Sequence, residues 1–200
     1  MNIESPLRLA VGNHQAGSGK GCAMNVISWE NGDTTITDMP ACADPFLARV
    51  VQNLNDTLCT HRTGDLLCPE CSVAVLAVAH RVVGTADLLS SGELHKVYVL
   101  VACFAARQVA HLNPDPRVMA AIVAAEGWVE GKVTALAAAT AYATAYATDA
   151  YATANSTDGT DRLSLVASVI DRFLELADAH PQHVPAEVTE RAVRQMMAQA

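Results

Sequence analysis

The sequence predicts an all-α protein: one helical bundle of about six to eight helices spanning residues 1–200, entered through a glycine-rich N-terminal loop. Three observations carry that expectation. Several segments place apolar residues three and four apart and are bounded by capping residues. The chain is 51% hydrophobic but only 4% aromatic, its apolar mass lying in Ala, Val and Leu, which suits close-packed helices better than an aromatic-rich sandwich. Alternating apolar and polar runs of the kind that mark half-buried strands are scarce.

Residues 1–21 read as loop, punctuated by Gly12, Gly17, Gly19 and Gly21. A short helix follows from Cys22 through Trp29, and Asn31-Gly32 supplies its stop. Asp33 to Thr37 is polar and β-branched, a loop or a short edge strand. Asp44-Pro45 opens the next helix, Asp as acceptor for free amides and Pro preset at the first helical position, with Phe46, Leu47, Val50, Val51 and Leu54 as its apolar stripe. Cys68-Pro69-Glu70 opens another that reads Cys71 to Val83 and stops at Gly84. Ser91 is placed to cap a long helix from Gly92 to Leu112, ended by Asn113-Pro114-Asp115-Pro116. Pro116 begins a helix carrying Val118, Met119, Ile122 and Val123. Thr160 or Asp161 caps one whose face is Leu163, Val166, Ile170, Phe173, Leu174 and Ala177, and Pro185 opens a last one with Val188, Ala192, Val193 and Met196. Between these, residues 127–155 read as an alanine-rich repetitive helix in which Ala-Tyr-Ala-Thr occurs three times, with Asp149 before the third copy.

The net charge of −8 and a pI near 5.2 disfavour general nucleic-acid binding, which needs a cationic face to displace counterions, and disfavour adhesion to anionic membranes for the same reason. The longest strongly apolar run, Val97 to Ala106, falls well short of the roughly 20 residues a membrane span needs. Met1 to Pro6 lacks the basic and apolar regions of a signal peptide, so the expected compartment is the cytoplasm and the six cysteines are expected as thiols or metal ligands rather than disulfides.

Gly12-Asn13-His14, Gly21-Cys22-Ala23-Met24, Asp38-Met39-Pro40-Ala41-Cys42-Ala43-Asp44-Pro45, Leu54-Asn55-Asp56 and Arg81-Val82-Val83-Gly84-Thr85 together form a pattern. On those residues the chain resembles a family of small alanine-rich helical proteins of actinobacteria and their bacteriophages. The match runs over most of residues 9–112 and, by composition, 127–154. Asn25 stands where those relatives carry Glu, Met39 where they carry His, and Asn53-Leu54 where Trp is common. The resemblance implies a helical fold and that origin, and it implies no particular activity.

Three constellations bear on chemistry. The stretch Gly12 to Gly21 invites a phosphate-binding reading, but His14 and Gly21 stand where a P-loop needs Gly and Ser or Thr, leaving Lys20 as the one group suited to an anion. His14, Cys22, Asp38 and Cys42 form a candidate catalytic set. Cys22 at a helix start would have a lowered pKa, His14 would be its base and Asp38 would orient the imidazole. The alternative is scaffolding, in which the two thiols fill small core sites and Asp38 closes a turn. Cys59-Thr60-His61 and Cys68-Pro69-Glu70-Cys71 offer three thiolates and an imidazole across a short loop, the donor set of a structural zinc site. The same residues also suit plain thiols, with Cys68 capping a helix and Cys71 packing inward, or a redox Cys-x-x-Cys pair. His80, His95 and His111 have no ligand spacing and are expected at core edges.

The expectation for function is a cytoplasmic, non-enzymatic helical protein that binds another protein or itself, as a homodimer, in a phage or actinobacterial accessory or host-modulating role. The rivals are a cysteine-dependent enzyme built on Cys22 and His14, and an oligomer that binds a small ligand such as a nucleotide signal. No cofactor is assigned, structural zinc being the one candidate.

Overall fold

A computed structural model describes residues 8–12, 14, 18–112, 115–137 and 159–179. Among them the fold is all-α, as the apolar spacing predicts. The helices are α1 (Ala23–Glu30), α2 (Pro45–Thr57), α3 (Pro69–His80), α4 (Ser91–Val109), α5 (Pro116–Val129) and α6 (Gly159–Leu176), with a 3-10 turn at Ala110–Leu112. No strand forms among the described residues; the only β-type pairings there are the isolated bridges Ala10–Leu66 and Thr63–Leu66.

Each helix starts where its chemistry permits. Asp44 Oδ1 accepts the amides of Phe46 and Leu47 at 2.9 and 3.2 Å, and its Oδ2 accepts the Tyr98 hydroxyl at 2.6 Å. One carboxylate thus caps α2 and ties it to α4. Pro45, Pro69 and Pro116 each occupy the first turn of their helix, where a missing N–H costs nothing. The cap of α4 is Ser90 rather than Ser91, because Glu93 reaches back to Ser90 in a capping box. The last turn of that helix tightens into the 3-10 form at Ala110, so its α-helical part ends before Leu112. The third helix stops at His80, three residues before the expected Val83, and residues 81–84 form turns. Asp33 to Thr37 is loop: the Asp33 carboxylate takes the Ser28 hydroxyl at 2.7 Å and the Ala41 amide at 3.3 Å, folding the segment back on α1.

One apolar cluster draws on α1, α2, α3, α4 and α6, with Met24, Ile27, Leu47, Leu54, Leu76, Ile170 and Phe173 sealed inside. The fifth helix packs against α4, and α6 lies across α2 and α4. Arg162 on α6 donates to the Thr57 carbonyl, one of the free carbonyls that end α2. Two stretches of the family-like pattern meet: the amides of Gly84 and Ala86 donate to the Cys42 carbonyl, and the Asp44 amide donates to Thr85 Oγ1. Their role in the fold is to hold the loop before α2 against the end of α3.

The expected alanine-rich helix at 127–155 is revised at its start. Residues 127–129 belong to α5, which ends in a turn with Gly131 at a φ of 73°, a left-handed conformation that glycine adopts without strain. Residues 138–155 and the helix expected from Pro185 lie outside the described residues. The histidines divide. His80 is buried and pairs through Nε2 with Glu30 at 2.7 Å, while Nδ1 faces the Leu76 carbonyl at 2.9 Å. His95 and His111 are exposed, His95 on a face of α4 turned from the core and edge-on to Trp128, His111 in the 3-10 turn that follows.

Candidate metal centre

The metal-type set lies where α2 ends and α3 begins. Leu58 closes α2, and Cys59 follows with its side chain turned inward, 6% exposed. His61 stands on the exposed part of the loop. The chain reverses at Thr63–Leu66, which exchange both backbone hydrogen bonds at 3.0 and 3.2 Å around Gly64, whose φ is 63°. Cys68 then caps α3 and accepts the Cys71 amide through sulfur at 3.5 Å, while its own amide donates to the Cys59 sulfur at 3.3 Å. The turn therefore folds Cys68 back over Cys59. One ligand atom each from Cys59, His61 and Cys68 lies within 4.8 Å of the others, a group that could hold a metal ion. Tetrahedral zinc ligands stand roughly 3.3–3.8 Å apart for bonds of about 2.0–2.3 Å, so this set needs only a modest closing.

Cys71 sits beside the group, its thiol within hydrogen-bonding reach of the Cys59 and Cys68 sulfurs. Burial works against ionising Cys59, but the Cys68 amide, the neighbouring thiols and the His61 backbone outweigh it and hold the group below its ordinary value. Burial and the two sulfurs beside it push Cys71 the opposite way, up to about 12. Cys59 therefore ionises more readily than Cys71, which keeps its proton. A soft cation would draw the remaining proton off, since zinc binds thiolate.

No family model, curated protein or solved structure matches this chain.

The other predicted set is not assembled in the same way. Cys22 is the N-cap of α1 and 2% exposed. Its expected low pKa is reversed: burial dominates and raises the thiol, with the charges of Asp38 and Asp56 adding to the rise, while the Asn25 and Met24 amides oppose it too weakly. His14 Nε2 is buried without a hydrogen-bond partner. Cys42 is half-buried and faces Asp33 and Glu30, and burial raises its thiol as well. Asn25 Oδ1 accepts the Cys22 amide at 3.0 Å and so helps cap the start of α1.

The anion reading of the glycine loop is met by carboxylates. Gly12 donates to Asp56 at 2.9 Å and Lys20 pairs with Asp65. Leu67 and Ser72, to which spacing assigns no role, prove central here: with Asp65 of the turn they join Leu9 and the N-terminal segment to the metal-type loop. Their partners are distant in sequence, the Leu9 amide reaching Ser72 Oγ at 3.0 Å, and no local motif announces them.

Proposed function

We propose that this chain is a non-enzymatic helical protein, braced by a structural zinc ion at Cys59, His61, Cys68 and Cys71, that acts by binding another protein or a second copy of itself. The observation that carries the reading is the convergence of three ligand atoms within 4.8 Å with a fourth thiol alongside, on a surface loop between two helices. Structural zinc sites are closed four-ligand knots that replace core in small folds, and the donor set here is of that type. Cys71, whose thiol reaches the sulfurs of Cys59 and Cys68, is the fourth donor of the proposed set. The seal over Cys22 weighs against a cysteine nucleophile there.

A binding role is supported by what the bundle leaves on its surface. Met119 and Val123 stand one turn apart on α5, Val123 at 57% exposed, with Leu112 also exposed. A groove of about 450 Å³ runs between α4, α5 and α6, lined by Phe104, Arg107, Glu126, Asp171 and Arg172 among others. No described helix is long and apolar enough to cross a membrane. A cytoplasmic setting and an actinobacterial or phage accessory role belong to the same proposal, the latter on the resemblance alone.

Native mass spectrometry of the purified chain tests the reading in one measurement. The expected result is one zinc per chain and a dimer, twice the 21.1 kDa of the monomer. A metal-free protein, or zinc retained by a variant with Cys59 and Cys68 both changed to Ser, overturns the zinc site. A strictly monomeric species that captures no partner overturns the binding role.

A further inference from the structure

We propose that metal bound at this site clasps the N-terminal segment Arg8–Gly12 onto the core, so that loss of the metal frees that segment and uncovers the slot beneath Leu9. This rests on the zinc reading above and adds what the metal controls.

The anchors of Arg8, Leu9 and Val11 lie within the loop that the ligands bracket or next to a ligand. Leu67 donates to the Leu9 carbonyl at 2.8 Å, and Val11 donates to the Asp65 carbonyl at 2.9 Å. Arg8 Nε donates to the Leu67 carbonyl at 2.9 Å. The Leu9 amide donates to Ser72 Oγ, and the Ser72 hydroxyl donates in turn to the carbonyl of the ligand Cys68 at 2.9 Å. Lys20, further along the same N-terminal region, pairs with Asp65. Through these bonds Leu9 is driven into the core with no exposed surface.

The bracketed loop has little of its own to hold it. Residues 60–64 are exposed, and the loop closes on itself through the Thr63–Leu66 exchange and the Cys68 amide on the Cys59 sulfur. Cys59 and Leu67 are the buried ends of the stretch. A metal that ties Cys59 and His61 to Cys68 and Cys71 removes the loop's freedom and presents Asp65 and Leu67 in register with Leu9 and Val11. Metal binding and local folding are then a single equilibrium. Ala10 and Gly12 hang from a different support: Ala10 donates to the Gly21 carbonyl and its carbonyl accepts from Asn55, and Gly12 donates to Asp56. The clasp therefore loosens unevenly, first at Leu9 and Val11.

Hydrogen exchange with mass spectrometry on the full chain, zinc-loaded and then stripped with a chelator, reads this directly, with native mass spectrometry reporting zinc content in the same samples. The expected result is loss of protection at the amides of Leu9, Val11 and Leu67, a smaller change at Ala10 and Gly12, and none in α4 and α5. Linkage requires the reciprocal effect. Ser72→Ala, which touches no ligand side chain, should weaken zinc binding roughly tenfold in competition with a chelating dye. A chain that holds no zinc overturns the site and the clasp together. Zinc bound and removed with protection at Leu9 and Val11 unchanged, uniform loss across all six helices, or unaltered affinity in Ser72→Ala overturns the clasp alone.

Discussion

Cys22 and His80 illustrate how burial decides what a reactive side chain does. A helix N-terminus lowers a thiol's pKa only where the free amides face a thiolate that stays solvated, and at Cys22 desolvation wins. Iodoacetamide at pH 6 is therefore expected to leave Cys22 unmodified in the native protein, and to label it when urea exposes it and the pH is raised to about 8.5; fast native labelling at pH 6 would reinstate it as a nucleophile. His80 is buried against Glu30, whose second carboxylate oxygen is itself buried without a partner. Replacing His80 with Ala leaves a buried carboxylate unpaired, and the expected loss is about 2–3 kcal/mol. Adding Glu30→Leu to that variant should restore much of the loss, because an apolar pair needs no partners. Urea denaturation of the single and double variants checks both statements.

Among the elements, α2 depends most on one residue. Asp44 satisfies two of its free amides and also receives the Tyr98 hydroxyl from α4, whose ring lies 5.0 Å from that of Phe46 and 6.3 Å from that of Phe173. Asp44→Ala removes a cap and strands a half-buried hydroxyl, so a loss of about 2 kcal/mol is expected. Tyr98→Phe keeps the ring contacts and removes one bond, with an expected loss of about 1 kcal/mol. Thermal melts that reverse that order would show the ring stack, rather than the cap, to be the stronger tie. The start of α2 was legible in Asp44-Pro45; the reach of Tyr98 to it was not, because the two are 54 residues apart. The same holds for the metal-type loop. Its four candidate ligands are local and readable from spacing, whereas Ser72 and Leu67 acquire their importance only from a segment some sixty residues earlier.

At the scale of the molecule, proton and metal equilibria should both couple to folding. Burial is the foremost cause holding the thiols of Cys22, Cys42 and Cys103 above their ordinary value of 9.0, and it raises the Tyr98 hydroxyl as well, with Asp44 adding to the effect. Groups raised in the fold favour the native state in their protonated form. Their contribution is complete below about pH 9 and is lost as pH climbs through the folded values. Stability measured by urea titration should thus fall above about pH 9 more steeply than in a variant with Cys22 and Cys103 changed to Ala; parallel profiles would remove the thiols as the cause. Zinc should raise the melting temperature, since a ligand at a thousand times its Kd stabilises by about 4 kcal/mol. Cys68→Ser should abolish that rise while circular dichroism remains helical.

Local sequence sufficed for the helical class, the helix starts at Pro45, Pro69 and Pro116, and the approach of Cys59, His61 and Cys68 to one another. These follow from local physics: apolar periodicity, capping chemistry, and ligands a few residues apart across a turn. Only the tertiary structure decided that Cys22 is sealed, that Lys20 and Gly12 face carboxylates, that His80 alone of the three helix histidines is buried, and that Leu9 docks beside the metal-type loop. Burial and long-range pairing set those outcomes, and neither is encoded in any short stretch of chain.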